Sequence, residues 1–176
     1  MNMLIDRKTA GKQRGAVLFI SLIMLLLMTL IGVSGMQTSV LEEKMAGNFK
    51  DRNMSLQAAE SSLRAAEKYL NDTATLPEFT GVTLGHYQPT SSGASRWDDS
   101  ITDWSDTANE VIAYPNSLTG IASEPVYIIE EMPPVSESGS SLEASVTLTN
   151  NYYRVTTRAT GGTDTAVVML QSTYKR

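Results

Sequence analysis

The sequence predicts an α+β fold: one long N-terminal helix, half membrane segment and half amphipathic, packed on a C-terminal antiparallel β-sheet. Three observations carry that expectation. No formal charge occurs from Ala16 to Leu41, the apolar residues from Leu41 to Leu70 recur at helical steps, and two strand-like segments near the C-terminus flank Gly161-Gly162-Thr163-Asp164. The chain is thereby divided into a basic segment 1–15, a membrane helix 16–40, its amphipathic continuation 41–70 and a domain 71–176.

From Ala16 to Val33 the chain reads AVLFISLIMLLLMTLIGV, in which Ser21, Thr29 and Gly32 alone fall outside the strongly apolar set. At about 1.5 Å per residue this run covers about 27 Å, close to the hydrocarbon thickness of a bilayer. Residues 1–15 carry Arg7, Lys8, Lys12 and Arg14 against Asp6, whereas the remainder is net acidic within an overall charge of −5. A short basic end stays in the cytoplasm, so a single pass with the C-terminal body exported is expected. The competing reading is a secretory signal peptide, which has a shorter apolar region and a small-x-small cleavage site. Gly32-Val33-Ser34-Gly35 imitates such a site only weakly.

Beyond the membrane, Leu41, Met45, Phe49, Leu56, Ala59, Leu63, Ala66 and Leu70 form an apolar stripe interrupted by Arg52. Glu43, Lys50, Asp51, Gln57, Glu60, Ser61, Arg64 and Lys68 lie opposite, and Glu60 with Arg64 is a favourable i, i+4 pair. No proline interrupts residues 16–76, so one helix of about 55 residues, roughly 80 Å long, is expected from Ala16 to Leu70. Gly32, Gly35 and Gly47 are its weak points, each costing about 1 kcal/mol relative to alanine. Gly32 and Gly35 mark either a place that unwinds on assembly or a close helix contact in the membrane.

In the domain, Pro125–Met132 is a β-branched and aromatic run ended by Pro133-Pro134. Residues 151–160 place Tyr153, Val155, Thr157 and Ala159 on one face and Tyr152, Arg154, Thr156 and Arg158 on the other, the alternation of a half-buried strand. A hairpin to 166–174 follows if Gly161 and Gly162 supply the positive φ angles of a tight reversal. Residues 142–149 are a candidate fourth strand, and 133–141 reads as an exposed loop.

Residues 71–124 are Ser/Thr/Gly-rich, with one island. Trp97, Ile101, Trp104, Ala108 and Val111 recur at helical spacing behind a Ser95/Asp98 capping box, and Asp99, Asp103, Asp106 and Glu110 form a second stripe. Trp97, Asp99, Asp103, Trp104 and Asp106 are a candidate patch for a partner or for Ca²⁺, set against the reading of an ordinary solvated face. Cysteine is absent, the single histidine, His86, falls in a loop-like stretch, and no nucleophile, zinc or phosphate-loop motif occurs. Catalysis and a cofactor are therefore not expected. The net charge disfavours nucleic acid, and the small basic spot of Arg154, Arg158, Lys175 and Arg176 is expected to meet carboxylates of neighbouring subunits.

A basic leader ending in glycine, directly followed by a hydrophobic segment that continues into a long helix, resembles the type IV prepilins. LEEKMAGNFKDRNMSLQAAESSLRAAE (41–67) and YYRVTTRATGGTDTAVVMLQSTY (152–174) further resemble the PilX-type minor pilins. The resemblance implies cleavage by the prepilin peptidase between Gly15 and Ala16, N-methylation of Ala16, residence in the inner membrane with the domain in the periplasm, and incorporation into a surface pilus that serves adhesion and twitching motility. It implies other minor pilins, the major pilin and the inner-membrane assembly machinery as partners, with a pilus-tip adhesin as a further one. Two departures stand out: Ala16 replaces the usual first phenylalanine, and Ile20 occupies the fifth mature position, where pilins carry a glutamate that neutralises a neighbour's N-terminal amine. A subunit without that carboxylate suits an end of the filament, as a primer of assembly near the tip. The alternative is a single-pass periplasmic binding or sensor protein that never enters a filament.

Overall fold

Helix α1 runs unbroken from Ala16 to Asp72, 57 residues, as the lack of proline predicts. The computed structural model describes residues 15–90, 95–133, 135–136 and 149–176. The leader residues 1–14 and the candidate strand residues 142–148 lie outside them. By contact density the chain divides into two units, Met1–Ala46 and Gly47–Arg176.

In the first unit every described residue is exposed. An 18-residue window there has a mean hydropathy of 2.8, and none of it is buried. In the apolar run Ser21 Oγ donates to the Leu18 carbonyl at 2.9 Å and Thr29 Oγ1 to that of Leu26 at 2.8 Å. Such back-bonding lets hydroxyls sit in an apolar segment without an unmet donor.

The second unit holds strands β1 (His86–Tyr87), β2 (Ile112–Ala113), β3 (Val126–Glu131), β4 (Val135–Ser136), β5 (Thr149–Asn150), β6 (Tyr152–Thr160) and β7 (Val167–Lys175). Among the described residues five of these form one sheet in the order β1-β3-β6-β7, with β2 also paired to β3, while β4 and β5 form a separate ladder. The expected antiparallel pairing holds for β3, β6 and β7. β1 runs parallel to β3, so the sheet is mixed. His86 is thus a strand residue and not part of a loop. Gly85 leads into it with φ +66°, and a Cβ there would strike the Ile112 side chain.

Alternation along β6 is as expected, with Tyr153, Val155, Thr157 and Ala159 buried. Tyr153 and Val155 join Tyr127 and Ile129 of β3 and Ala66 and Leu70 of α1 in one core cluster. The opposite face is covered too. Val126 and Ile128 pack with Tyr87, Trp104 and Val111 from the segment before β3, which is why β3 is buried along most of its length. Burying Ile128 and Ile129 fully contributes roughly 1.5–3 kcal/mol each.

The face of α1 turned to the sheet matches the predicted stripe in its second half, at Ala59, Leu63, Ala66 and Leu70, and departs from it before that. Leu41, Met45, Phe49 and Leu56 are exposed, and the buried positions are Ser55, Ala58, Ala59, Ser62, Ala66 and Leu70. Small side chains bring the two backbones close enough for hydrogen bonds between helix and sheet. Ser55 Oγ donates to the Ala159 carbonyl at 2.9 Å, and Thr157 Oγ1 donates to that of Ala59 at 3.2 Å.

Three further expectations need correction. Neither Gly161 nor Gly162 has a positive φ. Gly161 is a glycine because a Cβ would overlap Asp51, whose carboxylate accepts hydrogen bonds from the Thr163 N–H at 3.1 Å and from the Thr163 hydroxyl. Asp51, placed on the solvent face by periodicity, therefore clasps the turn between β6 and β7. Residues 95–111 form no helix. They follow one another in turns because Asp98, Asp103 and Asp106 accept from backbone N–H groups two residues on, at 2.9–3.1 Å, a local alternative to helical bonding. Finally, Val135–Ser136 pairs with Thr149–Asn150 within the stretch read as a loop.

Candidate assembly interface

Gly15 precedes the first helical residue, Ala16, and both are exposed, with nothing within 4 Å of a Cβ built on Gly15. Ile20 lies one turn into α1 and is 55% exposed. Gly32 and Gly35 sit in regular helix, in open space. Just after them Thr38 Oγ1 donates to the Ser34 carbonyl at 3.2 Å and Ser39 Oγ to the Gly35 carbonyl at 3.3 Å, giving each a second donor. Hydroxyl back-bonding slightly destabilises helices and bends them, so the glycines and these bonds fall on the same weak turn.

In the second unit the most exposed apolar group of α1 is Phe49, at 73%. With Arg52, Asn53, Leu56 and Val168 it lines a shallow cleft of about 330 Å³. The sequence stripe found Phe49 and Leu56 but assigned them to the domain's own core. Their exposure leaves an apolar helix face free for another chain.

The island at 97–106 is split by the fold. Trp104 is 4% exposed and belongs to the core, while Trp97 is 52% exposed. Asp103 and Asp106 are occupied: Ser105 holds the Asp103 carboxyl below its ordinary range, and Asn109 does the same for Asp106. Asp99 is exposed beside Trp97. Among the described residues no group of three or more His, Asp or Glu could hold a metal ion. The geometry leaves Trp97 and Asp99 at the surface and takes Trp104 out of the predicted patch.

The basic spot is likewise divided. Arg154 lies 3.7 Å from the buried Glu130 of its own chain, and Arg176 donates to the Thr73 carbonyl at 2.6 Å. His86 stacks edge-on against Tyr69 and Phe79, its ring 5.6 and 5.1 Å from theirs, and Nδ1 is 2.6 Å from the Leu84 carbonyl. Burial pushes its pKa down, as befits a neutral core residue. The residue spacing around His86 does not reveal this, because Tyr69 and Phe79 reach it from the end of α1 and from the irregular segment before β1.

Two protein-family models match the chain. One, described as PilX N-terminal, covers residues 14–64. The other, described as type IV pilus assembly protein PilX C-term, covers residues 50–176. No individual curated protein and no solved structure matches it.

Proposed function

The chain belongs to the PilX family of type IV pilus minor pilins, and on that footing we propose that it primes pilus assembly as a tip-proximal subunit. In this reading the prepilin peptidase cuts after Gly15 and the new N-terminus at Ala16 is methylated. The subunit waits in the inner membrane with residues 47–176 in the periplasm, then enters the filament with other minor pilins ahead of the major pilin. Its role is structural, not catalytic.

The observation that carries the position in the filament is Ile20. A carboxylate at this depth costs about 3 kcal/mol to insert unless a cation meets it. In the shaft each such charge pairs with a neighbour's amine; an apolar residue neither offers nor requires that partner. The exposed membrane half of α1 supports insertion, and the four basic residues before Gly15 support a cytoplasmic N-terminus.

The test is N-terminal mass spectrometry of the protein from membranes and from sheared pili. The mature chain is expected to begin at a methylated Ala16 in both fractions. Gly15→Val puts a branched side chain beside the scissile bond, so the variant should keep its leader, about fifteen residues longer, insert normally and stay out of pili. A leader retained in the wild-type protein, with none of it in sheared pili, would favour a membrane-tethered binding protein instead.

A further inference from the structure

His86 is 4% exposed and opens β1, the two-residue strand at the edge of the sheet. The Leu84 carbonyl, 2.6 Å from Nδ1, can only accept, so the ring carries its proton on Nδ1 and a bare lone pair on Nε2. Nε2 is buried and has no hydrogen-bond partner. Around the ring stand aromatic neighbours, Tyr69 from the end of α1 and Phe79 from the segment before β1. A neutral imidazole suits that setting. A second proton would have to sit on Nε2 as a charged donor shut away from both water and acceptors, which is costly.

The groups around His86 offer no answer to that charge. On its side of the sheet the titratable neighbours are phenols: Tyr69 of α1, and Tyr127 of β3 and Tyr153 of β6, which share the core cluster with Phe79. Phenols are neutral in acid. Lys68 and Asp72 of α1 pair with each other in solvent, and Glu78 beside Phe79 is exposed. Glu130 lies opposite Tyr87 in the strand register, so it alternates away from Ile129 to the other face, where Arg154 pairs with it and Arg96 covers the Tyr87 ring. Burial lowers the pKa of His86, and no carboxylate among the described residues offsets it.

The segment that carries His86 is lightly held. It turns at Gly81 (φ +80°) and Gly85 (φ +66°), closes on itself through Gly81 N–H to the His86 carbonyl at 3.0 Å, and meets β3 over the register of two residues. We propose that His86 is an acid-sensitive latch: a proton entering at Nε2 releases residues 79–87 from α1 and β3. Release uncovers the apolar surface beneath Phe79, formed by Leu70, Tyr127 and Ile129. The stabilisation that the neutral ring gives is complete above the unfolded value of about 6.5, falls with the pH below it, and stops falling once the lowered native value is passed. None of this depends on the filament reading.

The full chain in detergent, prepared without a histidine tag, has one histidine, so its imidazole Cε1–H signal in proton NMR belongs to His86. That signal should titrate with a midpoint below 6.5. Amide hydrogen exchange followed by mass spectrometry, corrected for the intrinsic effect of pH, should rise about fivefold or more in peptides from 79–87 between pH 7 and pH 5, and stay level in β6 and β7. His86→Phe keeps an aromatic ring and removes the titration, so its exchange in 79–87 should be the same at both pH values. Should that variant fail to fold, the wild-type measurements still decide: exchange that rises in step with the protonated fraction of His86 supports the latch. A midpoint at or above 6.5, unchanged exchange in 79–87, or an equal rise in His86→Phe overturns it. A rise shared by β6 and β7 overturns it as well, because it marks loosening of the whole domain.

Discussion

Glu130 is a carboxylate at 3% side-chain exposure, and Arg154, its ion-pair partner among the described residues, is 3.7 Å away and partly solvated. Burial raises its pKa, and the charges of Arg154 and Arg96 offset only part of that. The native state therefore holds this proton to higher pH than the unfolded chain does. The resulting stabilisation is complete below the unfolded value of about 4.3 and is lost as the pH rises through the raised native value. Glu130→Gln imitates the protonated side chain at every pH. Thermal melts followed by circular dichroism should show the variant close to wild type at pH 4 and more stable than wild type at pH 7. An equal difference at both pH values would mean that the charge is better compensated than the geometry indicates.

At the scale of elements, the joint between α1 and the β6–β7 hairpin depends on a missing side chain. A methyl group on Gly161 would overlap both the carboxylate and the backbone oxygen of Asp51, whereas one on Gly162 would meet its nearest neighbours at 3.3 and 3.4 Å. Gly161→Ala should thus destabilise the protein by about 1–3 kcal/mol in urea unfolding, the usual cost of overpacking, and Gly162→Ala should cost less. Equal losses would remove the clasp from the account. Which elements were readable beforehand follows the same logic. The strand 152–160 was legible because alternation at Tyr153, Val155, Thr157 and Ala159 directly encodes which side faces a core. The turns at 95–111 were misread as a helix because apolar spacing is blind to competition from aspartate side chains for backbone N–H groups. The sheet-facing side of α1 was legible at Ala59, Ala66 and Leu70 and missed at Ser55, Ala58 and Ser62, which carry little apolar signal although their smallness is what permits close packing. Of the candidate assembly positions, Gly15, Ala16 and Ile20 were singled out from the sequence alone, and their roles belong to the function proposed above. The burial of Trp104 and the pairing of Arg154 with Glu130 depend on contacts distant in the chain.

For the whole molecule, every described residue of α1 up to Ala46 is exposed, so the cost of a charge there is set by what surrounds the chain. Ile20→Glu probes those surroundings. If the subunit sits at the tip, no neighbour above supplies an amine, and the added carboxylate is buried unpaired at about 3 kcal/mol. Counting pili by electron microscopy should show fewer filaments. Normal pilus numbers with more of this protein along sheared shafts would instead make it an ordinary shaft component. A filament subunit also has to carry load. Tension applied to the N-terminal half of α1 travels along the chain, and the first tertiary hydrogen bonds that it meets among the described residues are those of Asp51 with Thr163. The chain has no cysteine with which to lock this joint covalently. On the filament reading, Asp51 and Thr163 would part under strain before the apolar core is drawn on, and would close again, with no bond to re-form by chemistry, when the pull is released.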